Sequence, residues 1–190
     1  MKKRKLLLLL VPVIVLFSII FWNQKASVNY YLDIMGSLSK EETKAALREK
    51  FHREYNLTEL VRWVNEHLVF DENLTKPRYE DPFCILGFGK GRCGEFSILY
   101  VAVCLAHGYE SRLVIAVDIS NPFCWSEKHA WAEVKVNDAW VHVDPSDKKW
   151  DEPYRYETWE WGKHIGSTVR IYAFEDGRYE DVTLNYKRKD

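Results

Sequence analysis

Two segments in the N-terminal half of the chain carry apolar residues at positions that fall on one face of a helix. The first follows Ser39, and the second follows Asn56, which has Glu59 three residues later. A capping residue ahead of such a period is typical of an amphipathic helix. The apolar positions are Ala45, Leu47 and Phe51 in the first segment and Leu60, Val61, Val64 and Leu68 in the second. The pattern predicts two scaffold helices.

A continuous apolar run from Phe96 to Ala106 ends at Gly108. An uninterrupted run of this length, closed by a glycine, is typical of a buried helix. Cys93 precedes the run and follows a glycine-rich turn, so we expect its thiol in the first helical turn. Unpaired amide N–H groups and the positive end of the helix dipole stabilise a thiolate there.

Strict alternation of apolar and polar residues predicts strands in the C-terminal half. Residues 129–136 alternate, residues 139–143 are rich in Val and Trp, and Asn137 with Asp138 supplies the turn between them. His129 begins one strand of this predicted hairpin and Asp144 ends the other, so the two side chains should be close. Residues 168–174 and 179–186 predict a second hairpin around Gly177.

The first 25 residues have a different pattern. Five residues including four cations precede an uncharged run from Leu6 to Trp22, which predicts a membrane anchor with its N-terminus in the cytoplasm. The expected organisation is an anchor over residues 1–25, a connector over 26–38 and one extracytoplasmic α+β domain over 39–190. A cleaved signal peptide is the rival interpretation, but no small-x-small cleavage site follows the run.

Composition and cysteine spacing narrow the function. A net charge of −1 gives no reason to expect nucleic acid as a partner. The chain has no Cys-x-x-Cys motif, which argues against a structural zinc site and against thiol–disulfide exchange. In an oxidising compartment Cys84 and Cys124 could form a disulfide, whereas Cys104 lies in the apolar run and is expected to be a core residue.

Cys93, His129 and Asp144 together suggest catalysis. They supply a thiol nucleophile, an imidazole base and a carboxylate that orients the base, the groups that a cysteine amidase or acyltransferase requires. Taken separately, each residue has an ordinary structural explanation. Their order along the chain and their predicted elements favour a catalytic triad.

Four motifs place the chain near a known family. They are residues 91–96 around Cys93, residues 104–112, residues 129–134 from His129, and residues 140–145 around Asp144. Together they resemble the core of the transglutaminase-like superfamily, and the opening motif is most similar to the peptide:N-glycanase branch. The resemblance implies a papain-like α+β fold in which the nucleophile helix packs on an antiparallel sheet. It also implies the roles just given to Cys93, His129 and Asp144.

The expected activity is thiol-dependent amide hydrolysis or acyl transfer through a thioester, with water and amine acceptors both open. The substrate would be a protein, peptide or glycopeptide, and no cofactor or metal is expected. Candidate substrate contacts are Glu95, Trp131, Trp159 and Trp161. The alternative function is a non-catalytic, membrane-anchored module that binds peptides or glycans on the same fold.

Overall fold

The computed structural model describes residues 2–75, 79–120, 126–146 and 169–186, with side chains from residue 12 onward. The helices are α1 (Lys2–Leu38), α2 (Glu41–Arg48), α3 (Leu57–His67), α4 (Pro82–Phe88) and α5 (Cys93–Ala106). The strands are β1 (Val69–Phe70), β2 (Lys90–Gly91), β3 (Ser111–Asp118), β4 (Ser126–Val136), β5 (Ala139–Val143), β6 (Val169–Glu175) and β7 (Arg178–Asp181). A 3₁₀ helix (Thr183–Asn185) follows β7.

The main sheet has five antiparallel strands in the order β5-β4-β3-β6-β7. Its central strand, β3, is buried from Ser111 to Val117 because both faces of the sheet are covered there. On one face lie Leu113, Ile115 and Val117, which belong to the large core shared with the helices. The other face packs Val114 and Ala116 into a smaller core.

The predicted buried helix is confirmed as α5. All its residues from position 94 to 104 are buried, because α5 lies between the sheet and the other helices. Gly108 follows it with φ of 80°, a left-handed conformation that glycine adopts without steric cost. The helix therefore fixes the position of Cys93, its first residue, from within the core.

The predicted β4–β5 hairpin is also confirmed. Asn137 and Asp138 have φ of 49° and 62°, the pair of positive values that a type I′ hairpin turn requires. Short polar side chains of this kind tolerate the left-handed region better than most. The resulting register pairs Ala132 with Val143 and Glu133 with His142.

The prediction of a membrane anchor at residues 6–22, with an extracytoplasmic domain, is wrong. No helix in the described part of the chain is both long enough and apolar enough to cross a bilayer. The apolar run has 17 residues, which is at the lower limit of the roughly 17–25 that a spanning helix needs. Residues 26–38, expected to be a connector, instead continue α1, and the buried side chains Tyr31, Ile34, Met35 and Leu38 pack it against the core.

Two elements were not predicted. The first is α4, whose N-cap Asp81 accepts hydrogen bonds from two backbone N–H groups. Pro82 at the first helical position and Gly89 in the left-handed conformation complete the local signals of a short helix. The central strand β3 was also missed, because its apolar run contains no alternation.

Candidate active site

Cys93 is held at the start of α5 by two tight local contacts. The backbone N–H of Arg92 donates to the Glu95 carboxylate at 3.0 Å, which closes the N-terminus of the helix. A Cβ placed on Gly91 would lie 2.5 Å from the Cβ of Glu95, so only glycine fits there without a shift. The first turn of α5 and the preceding chain are therefore fixed relative to each other, and Cys93 lies at their junction.

His129 lies beside an irregularity in the sheet. Ala116 pairs with His129 while Val117 pairs with Glu127, so Lys128 is an extra residue in β4. Such a β-bulge bends the strand and redirects a neighbouring side chain. The Nε2 atom of His129 lies 2.5 Å from Oδ2 of Asp144, which immediately follows β5. The predicted proximity of His129 and Asp144 is present.

A further residue holds Asp144 in place. Both the backbone N–H and the hydroxyl of Ser146 donate to its Oδ1 atom, at 2.9 and 2.7 Å. Burial alone would raise the pKa of Asp144, but the hydrogen bond and charge of His129, with the two bonds from Ser146, hold it below its usual value. Asp144 is therefore a carboxylate whose second oxygen is committed to His129.

The thiol of Cys93 contacts the same imidazole. Burial by itself would lower the pKa of His129, but hydrogen bonds and negative charge from Asp144 and Cys93 outweigh it and raise the pKa to about 10. Because Nε2 faces Asp144, Nδ1 is the nitrogen left for Cys93. The structure thus brings Cys93, His129 and Asp144 together, with a protonated imidazole between two acidic groups.

The other described cysteines have different surroundings. Cys104 is fully buried in α5, where burial raises the pKa of its thiol. Cys84 is exposed on α4 with a free thiol, and its proposed disulfide partner Cys124 lies outside the described residues. Among the three described thiols, Cys93 combines partial exposure with a contact to an imidazole.

The predicted substrate contacts lie in unexpected places. Glu95 is fully buried and caps α5, and Trp131 is 1% exposed, stacked on the His129 ring with centroids 5.7 Å apart. A substrate could reach either side chain only if neighbouring groups moved, so substrate contact stays a prediction for both. Trp159 and Trp161 lie outside the described residues, and their role also stays a prediction.

A buried ion pair next to the site was not predicted. Arg112 on β3 and Glu133 on β4 are direct cross-strand partners, with Nε and Oε2 2.6 Å apart. The guanidinium also lies 4.1 Å from the centre of the Trp140 ring. In the sequence, Arg112 and Glu133 both resemble ordinary surface residues. The one local indication of burial is that Arg112 directly precedes a long apolar run. In the sheet this pair lies next to Trp131, two positions further along β4.

A thiol, a protonated imidazole and an oriented carboxylate can together carry out nucleophilic attack on an acyl carbon and protonate the leaving group. The positive end of α5 and its free N–H groups lie at the thiol, where negative charge on an attacked carbonyl oxygen would develop. Within the described residues, no three His, Cys, Asp or Glu side chains converge as a metal site.

The chain is similar in sequence to a described family and to curated proteins. The sequence model of a family described as the transglutaminase-like superfamily matches residues 41–145. The chain is 34% identical over 113 residues to a peptide-N(4)-(N-acetyl-beta-glucosaminyl)asparagine amidase from Eremothecium gossypii, covering 58% of this chain and 28% of that protein. The enzyme of the same name from Arabidopsis thaliana is 34% identical over 115 residues, covering 60% of this chain and 14% of its own length.

A crystal structure of a candidate protease from Parabacteroides distasonis superposes with a TM-score of 0.51 at 12% identity. The superposition covers 82% of this chain and 30% of that one. At this identity the likeness concerns the fold alone, and the fold is the expected transglutaminase- and papain-like α+β arrangement. The chain spans less than a third of the length of each of the two curated relatives named above.

Proposed function

Because the chain belongs to the transglutaminase-like superfamily, as its match over residues 41–145 establishes, we propose that it is a thiol amidase that removes N-linked glycans from glycopeptides. The observation that carries the proposal is the chain of contacts from Cys93 through His129 to Asp144. The names of the relatives supply the substrate class, an asparagine side chain amide that carries N-acetylglucosamine.

In the first step the thiolate of Cys93 attacks the side chain carbonyl carbon of the glycosylated asparagine. The carbonyl oxygen gains the negative charge, and the backbone N–H of Cys93 at the start of α5 can donate to it. The imidazolium of His129 then protonates the departing nitrogen, and the C–N bond breaks. The products of this step are a glycosylamine and a thioester between Cys93 and the aspartyl side chain.

In the second step water replaces the sulfur. His129 begins as an imidazolium partly because the negative charge of Cys93 raises its pKa. Acylation removes that charge and the proton has left with the glycosylamine, so the imidazole is neutral and can accept a proton from water. Water attacks the thioester, an aspartate forms and Cys93 leaves as a thiolate. The hydrogen bond between His129 and Asp144 keeps the same ring nitrogen facing Cys93 throughout.

The test uses a synthetic peptide with one N-acetylglucosaminyl asparagine, incubated with the full chain in water enriched in ¹⁸O. We expect the sugar to be released as the glycosylamine and the peptide to carry aspartate with one ¹⁸O atom, read by mass spectrometry. Cys93→Ser should abolish release, whereas Cys84→Ser, which removes an exposed free thiol, should leave it unchanged. Equal release by Cys93→Ser and the wild type would refute the assignment of the nucleophile.

Addition of a primary amine separates hydrolysis from acyl transfer. If water is the acceptor, the product stays an aspartate, and if the amine is preferred the peptide gains the mass of the amine. Saturable binding of the glycopeptide with no bond cleavage by the wild type would instead favour the non-catalytic binding module.

A further inference from the structure

Tyr186 lies outside the part of the chain that matches the family model, yet it is buried behind the candidate active site. It follows the 3₁₀ helix, which is fastened to β6. The Ile171 backbone N–H donates to the Thr183 hydroxyl at 2.8 Å, and the Val182 N–H donates to the Ile171 carbonyl at 2.9 Å. The C-terminal segment is thereby held against the smaller core of the sheet, to which Tyr186 belongs.

The phenol of Tyr186 connects two side chains of β4. The indole N–H of Trp131 donates to its oxygen at 3.0 Å, and the phenol O–H donates to Oε1 of Glu133. The rings of Trp131 and Tyr186 meet edge to face, with centroids 5.3 Å apart and planes at 73°. Glu133 is itself fixed by its ion pair with Arg112. The indole therefore has one hydrogen-bonded orientation, set from the C-terminal segment.

Trp131 in turn supports the imidazole of His129. Their planes are 27° apart with centroids separated by 5.7 Å, and His142 stacks on Trp131 at 5.4 Å. On β4, His129 lies two positions before Trp131 and Glu133 lies two positions after Trp131. His142 on β5 pairs with Glu133, so the rings of His129, Trp131 and His142 follow one another in that order along the sheet. A rotation of the indole would thus move the surface on which the His129 ring rests.

From these contacts we propose that Tyr186 is a positioning residue for His129: its hydroxyl fixes the rotation of Trp131, whose ring orients the imidazole toward Cys93 and Asp144. The inference rests on the proposed function for its catalytic consequence, but the geometric claim stands apart from it. Burial and the negative charge of Glu133 raise the pKa of Tyr186, so its phenol stays neutral and keeps both hydrogen bonds at physiological pH.

The test compares Tyr186→Phe with the wild type by three measurements on the full chain. The first is the NMR signal of the His129 ring nitrogen that faces Asp144, the second is the rate of iodoacetamide alkylation of Cys93 at pH 7, and the third is kcat and KM on the glycopeptide. Displacement of a reacting group by about 1 Å can cost 100-fold, so a smaller displacement here should lower the alkylation rate and kcat about tenfold. KM should change little.

Tyr179→Phe is the matched control, because it removes a phenol hydroxyl from the neighbouring strand β7, where the side chain is 49% exposed and stacks on Phe174. It should leave the His129 signal and both rates at wild-type values. If Tyr186→Phe does not fold, Trp131→Phe breaks the same hydrogen bond from the other side and should displace the same signal.

A Tyr186→Phe protein with a lower melting temperature but a wild-type His129 signal and alkylation rate would overturn the proposal, since the hydroxyl would then stabilise the fold without positioning the base. If the wild type cleaves no glycopeptide but Tyr186→Phe still displaces the His129 signal, the proposed function fails and the positioning role of Tyr186 is supported.

Discussion

Replacing Arg112 with methionine tests the energetics of the buried ion pair behind the site. The guanidinium is 2% exposed, and its Nε lies 2.6 Å from Glu133, with Glu175 and Glu180 each 3.4 Å from its Nη1 atom. In the described part of the structure, Glu133 has Arg112 as its one ion-pair partner. The Arg112→Met variant therefore leaves a buried carboxylate without a cation, whereas Glu133→Gln leaves Arg112 with two carboxylates.

The magnitude follows from this asymmetry. Removing one partner of a buried pair costs about 3–5 kcal/mol, because the other charge stays desolvated and uncompensated. We expect Arg112→Met to lower the free energy of unfolding within that range and Glu133→Gln to lower it by roughly 1.5–3 kcal/mol, the scale of a lost hydrogen bond to a charged group. The double variant should recover roughly 2 kcal/mol relative to Arg112→Met, because an amide is less costly to bury than an unpaired carboxylate.

Urea unfolding followed by circular dichroism gives these free energies by linear extrapolation. Lys135→Met is the matched control, because it removes a cation from the same sheet whose ion pair with Glu110 is substantially exposed, and it should cost less than about 1 kcal/mol. A double variant no more stable than Arg112→Met would refute the argument from an uncompensated charge. So would an Arg112→Met variant that is no less stable than Lys135→Met.

Two further predictions concern Cys93 and His129. Gly91→Ala should slow alkylation of Cys93 and lower the melting temperature, because the added Cβ would meet Glu95. Gly87→Ala is the control and should do neither, because a Cβ added there has nothing within 4 Å. Equal alkylation rates in the two variants would contradict the steric argument. The pKa of His129 is raised from 6.5 to about 10, so its pairing contributes stability fully below pH 6.5 and loses it as the pH rises to 10. Asp144→Asn should accordingly lower the melting temperature more at pH 6 than at pH 10, and an equal decrease at both would refute the coupling.

Sequence reasoning succeeded where the signal is local. The turn at Asn137 and Asp138 needs only its own two residues and the alternation beside them, and it brings the strand of His129 next to Asp144. The start of α5 is similarly determined by neighbouring residues. The helix α4 has local signals too, in Pro82 and Gly89 at its ends, but its seven residues are too few to show a helical period.

The remaining features depend on contacts that are distant in sequence. Arg112 and Glu133 pair across 21 positions, and Tyr186 reaches Glu133 across 53. Apart from the apolar run that follows Arg112, nothing near these residues in sequence distinguishes them from exposed polar side chains. The anchor prediction failed for a related reason, since the apolar run was judged by itself while the same helix continues into a segment that packs against the core.

The strands of the main sheet pair across very different separations in sequence. Residues 93–144 contain α5, β3, β4 and β5 and hold Cys93, His129 and Asp144, whereas β6 joins β3 only by closing a long connection, from Asp118 to Val169. Native proteins open locally in contiguous cooperative units that often coincide with supersecondary motifs, and the β6–β7 hairpin is such a motif. Opening of β6 and β7 would uncover Trp131 and release Tyr186, yet leave the thiol beside its imidazole. Amide hydrogen exchange in β6 would therefore report how often the native protein keeps Cys93 beside His129 while the contacts of Tyr186 with Trp131 are broken.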